Sequence, residues 1–196
     1  MSSLDERLLL LARTRGHTPG AEHVVARFSR LGEHAGVWLA MGTVGAAVDG
    51  SRRDAWRRAT GTVALVYVLN TAIKRVVRRR RPVLRGLPPL TDTPSELSFP
   101  SAHASSSFAG ALVYSRLGLP AIPLYALAGG LSMSRLYLGV HYPSDVLAGA
   151  VLGTALGALV TRRSAEEGAG APGAIALAGP DNGTLPSVRK PVESPR

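Results

Sequence analysis

Short apolar segments separated by charged or proline-rich stretches dominate the pattern of this chain. Five of these segments lie between His34 and Asp49, Arg58 and Lys74, His103 and Arg116, Leu117 and Ser134, and Val146 and Thr161. Segments that are apolar all round, without a polar face, are typical of buried or membrane-embedded helices. Their many Gly, Ala, Ser and Thr residues allow helices to approach closely in lipid. We therefore predict an all-α, membrane-embedded bundle of about five transmembrane helices.

The shortness of these segments leaves a second fold open. Only the fourth, 117–134, reaches the roughly 18 uncharged residues expected of a confident membrane span. A soluble helical bundle with buried helices is therefore the alternative. Arg side chains at the segment ends can reach to the membrane interface and lengthen a short span, which favours the membrane interpretation.

The two ends of the chain differ in character from the apolar region between them. Residues 3–15 predict a short amphipathic helix lying on the membrane surface, with Leu4, Leu8 and Leu11 on one side. After Arg163 the composition changes to Gly, Pro, Ala and Ser, which is typical of a disordered tail. The predicted organisation is a membrane-surface segment at 1–30, an integral membrane domain at 31–163 and a disordered tail at 164–196.

Composition narrows the classes of function. The chain has 196 residues with a formal net charge of +10, and it contains no cysteine, so neither a disulfide framework nor a thiolate metal site exists. A basic balance can indicate nucleic-acid binding. Here the basic residues cluster at the edges of apolar segments, and aromatic residues for base stacking are only 5%. We therefore expect anionic lipids or phosphorylated substrates as partners, and no nucleic acid.

One short stretch, 134–145, carries several chemically active side chains. His141 and Asp145 are four residues apart, so they share a face and can touch if this stretch begins a helix. Pro143 suits the first position of that helix. A carboxylate on one imidazole nitrogen fixes the tautomer and frees the other nitrogen to attack or to accept a proton. By itself, such a pair is more often only a polar helix start.

Two further stretches turn this pair into a pattern. One runs from Lys74 to Pro82 and the other from Ser98 to His103. Together the three resemble the signature K-x6-R-P, P-S-G-H and S-R-x5-H-x3-D of the type 2 phosphatidic acid phosphatase superfamily. The matching residues are Lys74, Arg81 and Pro82, then Pro100, Ser101 and His103, then Ser134, Arg135, His141 and Asp145. Ala102 stands where the signature has Gly, which matters only if this position needs a positive φ.

The resemblance implies a phosphatase with a covalent intermediate. It makes His141 the nucleophile that forms a phosphohistidine, and Asp145 the residue that orients it. It makes His103 the acid that protonates the leaving alkoxide and then the base that activates water. If the chain has five spans, all three motifs come to the same membrane face.

Phosphate binding is expected from the remaining motif residues. Lys74, Arg81 and Arg135 supply three cations, and the two Arg residues can bind phosphate oxygens through two donors each. The backbone amides of Ser101, Ala102 and His103, just before an apolar helix, would point at an anion, and the Ser101 hydroxyl would add a donor. Ser101 is also a suitable N-cap, and both roles can hold together.

Several polar residues near these motifs receive no catalytic role. We interpret Arg78, Arg79 and Arg80 as solvated anchors at the membrane interface, and we assign no role to His17, His23 and His34. The spacing of the two motif histidines and Asp145 is not that of a metal site. The positive charges of the three nearby cations would also repel a metal ion. We therefore expect no metal and no cofactor.

The substrate class rests on a narrower resemblance. The segments 93–104, 134–145 and 32–34 are similar to those of the actinobacterial decaprenylphosphoryl-5-phosphoribose phosphatases. That resemblance implies removal of a 5-phosphate from a polyprenyl-linked ribose in cell-wall arabinan precursor synthesis. Undecaprenyl pyrophosphate and phosphatidate phosphatases share the same three motifs and remain alternatives. A non-catalytic membrane interaction protein is the alternative of another class, although an intact site argues against it.

Overall fold

Helices account for the regular structure of this protein. The computed structural model describes the backbone of residues 3–169 and the side chains of residues 3–163. The helices are α1 Leu4–Thr14, α2 Pro19–Arg30, α3 Gly36–Val48, α4 Arg53–Val77, α5 Ala102–Arg116, α6 Ala121–Tyr137 and α7 Pro143–Ala169. Short 3₁₀ turns, Glu33–Ala35 and Gly50–Arg52, precede α3 and α4. Within the described part, β-structure is limited to two isolated bridges between α4 and α5, which confirms the all-α prediction.

The N-terminal segment contains two helices, although the sequence predicts only one. Helix α1 begins with a capping box, in which Ser3 and Glu6 each accept the other's amide hydrogen bond. It buries Leu9 and Arg13 against the protein, whereas the predicted apolar face formed by Leu4, Leu8 and Leu11 is exposed. Helix α2 starts at a proline after an N-capping Thr18. Its residues follow an amphipathic pattern that the sequence prediction overlooks.

Helix α5 is the central helix and packs against α4, α6 and α7. Small residues on α7 let it approach the start of α5. A Cβ on Gly149 would lie 2.5 Å from the Ser101 carbonyl oxygen, and a Cβ on Gly153 would collide with the backbone of Ser105. Only glycine fits at such distances. This close contact places the beginning of α5 beside the beginning of α7.

An aromatic cluster closes the end of the bundle away from the motifs. The Trp38 indole donates to the Ser107 hydroxyl at 2.9 Å, and the Tyr114 hydroxyl donates to the Trp38 carbonyl at 2.7 Å. Trp56 stacks on Tyr114 with a centroid distance of 5.6 Å. Because each buried polar tip has a partner, the cluster ties α3 and α4 to α5 without an unpaired group.

The outer surface of the bundle is apolar along several helices. Large exposed hydrophobic residues include Val44, Leu65, Val68, Ile122, Met133, Leu147, Val151 and Leu159. Within the described residues, one helical stretch, Pro143–Arg163 of α7, is long and apolar enough by itself to cross a membrane. Helix α7 continues to Ala169, so the first residues of the predicted disordered tail are helical. The rest of that prediction, 170–196, lies outside the described residues.

Candidate active site

The three sequence motifs meet around one cavity of about 550 Å³. Motif residues line it from four places in the chain: Lys74 at the end of α4, Arg81 in the following loop, Ala102 and His103 at the start of α5, and Arg135 and His141 around the end of α6. Ser101 and Asp145 do not line the cavity and are fully buried behind it. The structure thus brings the three motifs together in space, whereas their common membrane face stays a prediction.

The side chains of His141 and Asp145 lie beside each other across the first turn of α7. The Nδ1 atom of His141 lies 3.5 Å from Asp145 Oδ2, and both side chains are buried. The amide of Tyr142 donates to the same carboxylate oxygen at 2.8 Å. Gly139, with a φ of 76°, makes the turn that brings His141 back toward the helix. The predicted pair therefore exists, at a separation slightly longer than a hydrogen bond.

Arg81 occupies the other side of the His141 ring. Its NH1 group lies 3.2 Å from His141 Nε2 and donates to the Val140 carbonyl at 2.8 Å. Its Nε donates to the Ser95 carbonyl at 2.8 Å, which fixes the guanidinium plane. Because a guanidinium can only donate, Nε2 of His141 is unprotonated in this arrangement. A neutral imidazole with the proton on Nδ1 is the form that can attack through Nε2.

Burial and nearby charges shift the pKa values of His141 and Arg81. Burial lowers the pKa of His141 well below its ordinary value, and the charges of Arg81, Lys74 and Arg135 lower it further. Burial also lowers the pKa of Arg81 to about 10, although Asp145 opposes that shift. At neutral pH the site therefore presents a charged Arg81 and a neutral His141.

Two more cations complete the surroundings of the cavity. Lys74 donates from Nζ to the carbonyls of Leu97 and Ser98 at 3.2 and 3.0 Å. Arg135 donates from NH1 to the Ser29 hydroxyl at 2.6 Å, while its Nε is buried without a partner. With Arg81, these residues surround the cavity with positive charge, as an anionic ligand requires.

The start of α5 differs in one detail from the sequence expectation. Ser101 is the N-cap of the helix and accepts from the Ala104 amide, while its own amide donates to the Asp145 carbonyl at 2.9 Å. That amide is therefore not free for an anion. Ala102 is the first helical residue and does not have a positive φ, so alanine fits where the family signature has glycine. His103 follows, with Nε2 lying 3.0 Å from the Ser29 carbonyl.

Ser29 is a site residue that sequence reasoning misses. Its carbonyl contacts His103 and its hydroxyl contacts both Arg135 and Ser134. It is almost fully buried in the last turn of α2, an element that the sequence prediction overlooks. A lone serine among charged residues carries no signal by which its position beside two motif residues could be found.

The prediction that Arg79 is a solvated anchor is wrong. Arg79 forms ion pairs with Asp145 and Asp5, both at 2.9 Å. Its neighbours Arg78 and Arg80 are exposed, in agreement with the prediction. The physical reason is that α4 ends at Val77, and the φ of 55° at its C-cap Arg78 turns the chain and directs the next residue back onto the bundle.

The mouth of the cavity contains a strained turn. His34 and Ala35 have φ values of 51° and 60°, an unfavourable conformation for residues with a Cβ. This turn places Glu33 and His34 on the cavity wall, and His34 Nδ1 lies 2.8 Å from the Tyr67 hydroxyl. The sequence prediction gives His34 no role and therefore misses a residue that lines the cavity. Asp92 from the α4–α5 loop lines the same region.

Among the residues that the structure describes, no cluster of three or more His, Asp or Glu side chains has a geometry that could hold a metal ion.

Comparisons of the sequence with known proteins identify the family of this chain. A sequence model of the PAP2 superfamily matches residues 55–168. The decaprenylphosphoryl-5-phosphoribose phosphatase of Mycobacterium tuberculosis (strain CDC 1551 / Oshkosh) is 41% identical over 160 residues, which cover 81% of this chain and 83% of that protein. The protein of the same name from Mycolicibacterium smegmatis is 40% identical over 132 residues, covering 67% of this chain and 72% of that protein.

Solved structures share the fold. A transmembrane PAP2-type phosphatidylglycerolphosphate phosphatase from Bacillus subtilis is 27% identical with a TM-score of 0.69, covering 83% of this chain and 85% of that one. Aquifex aeolicus LpxE superposes with a TM-score of 0.70 at 24% identity, covering 82% of this chain and 96% of that one. The chain therefore belongs to the PAP2 superfamily and is a membrane phosphatase, a hydrolase acting on phosphoric esters.

Proposed function

We propose that this protein removes the phosphate from a phosphomonoester carried on a polyprenyl-linked sugar, a substrate like decaprenylphosphoryl-5-phosphoribose, through a phosphohistidine at His141. The observation that carries the proposal is the position of the His141 ring, between the Asp145 carboxylate and the Arg81 guanidinium at the wall of a cationic cavity. The names of the mycobacterial relatives support the sugar headgroup and the polyprenyl chain. Such a reaction is a step toward the arabinose donor for cell-wall arabinan.

The first chemical step uses the two sides of the His141 ring. Nε2 attacks phosphorus, the P–Nε2 bond forms, and the bond from phosphorus to the ribose oxygen breaks. Arg81 transfers its hydrogen bond from Nε2 to a phosphate oxygen, and Lys74 and Arg135 share the remaining charge. Asp145 stabilises the positive charge that develops on the imidazole. The negative charge of the bound phosphate favours the protonated form of His103, which then gives its proton to the leaving alkoxide.

The second step regenerates the enzyme. His103, now neutral, takes a proton from water as the water oxygen attacks the phosphohistidine. The P–Nε2 bond breaks, and inorganic phosphate leaves with the cavity cations as its counter-ions. Each histidine thus returns to its starting protonation state after one turnover.

The mouth of the cavity favours a hydroxylated headgroup over a second phosphate. Its exposed lining residues include two carboxylates, Glu33 and Asp92, which outnumber one cation, Arg75. His34 and Tyr67 also line it. Carboxylates accept hydrogen bonds from sugar hydroxyls, whereas they repel the additional negative charge of a pyrophosphate. This chemistry supports the ribose substrate over undecaprenyl pyrophosphate, the principal alternative.

We further propose that α3 to α7 each cross the membrane, so that the protein has five spans. The apolar residues exposed on α3, α4, α6 and α7 support this arrangement, because these side chains would otherwise be in contact with water. The absence of cysteine allows a direct test. A single cysteine at Ser95, near the site, and one at Ser51, in the turn before α4, should react with an impermeant maleimide from opposite sides of sealed vesicles. Labelling from the same side would contradict five spans.

The activity is tested with purified protein in detergent and EDTA. Phosphate release is measured from polyprenylphosphoryl-5-phosphoribose, undecaprenyl pyrophosphate and phosphatidate, with His141→Ala as the comparison. Preference for the ribose substrate, lost in the variant, is the expected result. Preference for the pyrophosphate would overturn the substrate assignment. Equal activity of the variant would overturn the phosphohistidine, and activity on none of the three would favour a non-catalytic membrane protein.

A further inference from the structure

We propose that Arg79 and Asp5 are positioning residues of the active site, through which the N-terminal helix α1 holds the catalytic carboxylate Asp145 in place. The inference rests on the proposed roles of His141 and Asp145. It adds to the site two residues that the signature does not specify. Arg79 stands at a variable position of K-x6-R-P, and Asp5 lies outside the segment matched by the family model, which begins at residue 55.

The first step is the contact between Arg79 and Asp145. NH1 of Arg79 donates to Asp145 Oδ1 at 2.9 Å and to the Ser144 hydroxyl at 2.7 Å. The other carboxylate oxygen, Oδ2, accepts from the Tyr142 amide and faces His141 Nδ1. The two oxygens of Asp145 are thus divided between Arg79 on one side and the nucleophile on the other. Rotation of the carboxylate would break both sets of contacts.

The second step is the contact between Arg79 and Asp5. NH2 of Arg79 donates to Asp5 Oδ2 at 2.9 Å. Asp5 in turn accepts from the Ser144 amide at 3.0 Å and from the Ser144 hydroxyl. The guanidinium carbon of Arg79 lies 4.2 Å from the centre of the Tyr142 ring. The guanidinium plane is therefore held by the ring on its face and by hydrogen bonds along its edge. Asp5 therefore fixes both Arg79 and the first turn of α7.

The third step concerns charge. Asp145 is fully buried, and a buried carboxylate is stable only with a partner. Arg79 supplies an ion-pair partner for this carboxylate, and the Ser98 hydroxyl and the charge of Lys74 also favour its ionised form. Burial acts to lower the pKa of Arg79, but the Asp5 hydrogen bond and the charges of Asp145 and Asp5 raise it above the ordinary value. Burial acts to raise the pKa of Asp5, but hydrogen bonds from Arg79 and Ser144 lower it below the ordinary value, so the Asp5–Arg79 pair is charged at neutral pH.

The fourth step is the attachment of α1 itself. Arg13, near the end of α1, donates to the Tyr137 carbonyl at 3.2 Å and to the Pro88 carbonyl at 2.8 Å. Both acceptors belong to the segments that flank the site. Helix α1 is thus fixed at Asp5 near one end and at Arg13 near the other, and it spans the outside of the His141 loop. Such support from outside the reacting groups orients them for attack.

The experiment compares Arg79→Met and Asp5→Asn with Arg80→Met, a matched control at an exposed neighbouring arginine. Values of kcat and KM are measured on the best lipid phosphate substrate, well below the melting temperature of each variant. We expect kcat of Arg79→Met to fall by about 10- to 100-fold with KM nearly unchanged, because such supporting partners typically contribute that factor. Arg79→Lys should keep a higher kcat than Arg79→Met. Added guanidinium ion should restore part of the kcat that Arg79→Ala loses. The double variant Asp5→Asn/Arg79→Met should lose no more than Arg79→Met alone.

A second measurement does not depend on turnover. Nitrogen-15 NMR of histidine in the labelled protein reports the tautomer of His141, assigned by comparison with His141→Gln. The wild type should show one tautomer with the proton on Nδ1, and Arg79→Met should show a mixture, while Arg80→Met leaves the signal unchanged. This shift would support the inference even if the protein proves inactive on the ribose substrate, which would overturn only the proposed substrate.

Three results would overturn the inference. One is a loss in Arg79→Met no larger than that in Arg80→Met. Another is a loss that appears only in KM or only in the melting temperature. The third is an unchanged His141 tautomer in Arg79→Met, because the carboxylate would then be held without Arg79.

Discussion

Arg135 donates a 2.6 Å hydrogen bond to the hydroxyl of Ser29, a residue 106 positions earlier in the chain. The Ser29 carbonyl also contacts His103. One residue of α2 therefore supports a phosphate-binding cation through its side chain and the proposed acid–base through its backbone. Because only the first of these contacts uses the side chain, substitution can separate them.

We predict that Ser29→Ala lowers kcat/KM by roughly 10- to 100-fold, since a hydrogen bond to a charged group contributes about 1.5–3 kcal/mol. The buried Arg135 guanidinium would be left with one partner fewer, whereas the contact to His103 would remain. Phosphate release at several substrate concentrations measures the effect. Ser132→Ala is the control, because the Ser132 hydroxyl is buried but bonds only the Ala128 carbonyl of its own helix. An equal loss in both variants would argue against a specific role for Ser29.

We predict that Gly32→Ala lowers activity while the protein remains folded. A Cβ on Gly32 would lie 2.6 Å from Cδ2 of His103, so the imidazole would have to leave its contact with Ser29. A displacement of about 1 Å in a reacting group can reduce the rate by roughly 100-fold. Gly129→Ala is the matched control, since a Cβ there meets nothing within 4 Å. Measurement of kcat and of the melting temperature for both variants separates misplacement of His103 from loss of stability.

The sequence predicts the bundle and the motif residues but not the groups that support them. His103, Arg135 and His141 are identified by spacing, because local helix geometry and a shared signature fix their surroundings. Ser29 and Asp5 lie more than 70 residues from their partners, and such distant contacts depend on how helices pack. They leave no trace in periodicity or in local spacing.

Arg79 illustrates why a run of charges is difficult to interpret. Four consecutive arginines at 78–81 look equivalent in sequence, yet two are exposed, one contacts His141 and one contacts Asp145. The difference arises from the backbone turn at Arg78, where an arginine adopts a positive φ. Composition predicts a cationic anchor correctly, but backbone geometry decides which side chain points inward.

We predict that His103→Ala discriminates between leaving groups. An alkyl phosphate needs a proton on its leaving oxygen, so its hydrolysis should fall by about 100- to 10,000-fold. A p-nitrophenolate anion leaves without that proton, so the first step on p-nitrophenyl phosphate should survive and phosphohistidine should accumulate. Rapid mixing would show a burst of p-nitrophenolate, followed by slow turnover. His23→Ala, at an exposed histidine of α2, should behave as the wild type. Equal loss on both substrates would contradict the acid role.

We predict that protonation of His141 does not limit activity near neutral pH. Burial and the surrounding cations hold its pKa well below the ordinary value of about 6.5. The nucleophile is therefore neutral near neutral pH, and any acid limb of kcat/KM due to His141 lies below the pH expected of an ordinary histidine. The same shift affects stability: below about pH 6.5 the unfolded chain binds a proton at His141 that the folded chain does not, so stability falls as pH falls. Melting temperatures from pH 8 to pH 5 for the wild type and His141→Gln measure this contribution. An equal fall in both proteins would contradict it.

We predict that Glu33→Gln weakens the preference for a sugar headgroup more than it weakens phosphate hydrolysis in general. Glu33 lies on the cavity wall at a strained turn, where its carboxylate can accept hydrogen bonds from ribose hydroxyls. The amide of glutamine keeps one acceptor but loses the charge, so the ratio of kcat/KM for the ribose substrate to that for phosphatidate should fall by about 10-fold. Glu96→Gln in the α4–α5 loop is the control, because Glu96 is exposed and does not line the cavity. A parallel change on both substrates would mean that Glu33 acts through the charge of Arg135 and not through the headgroup.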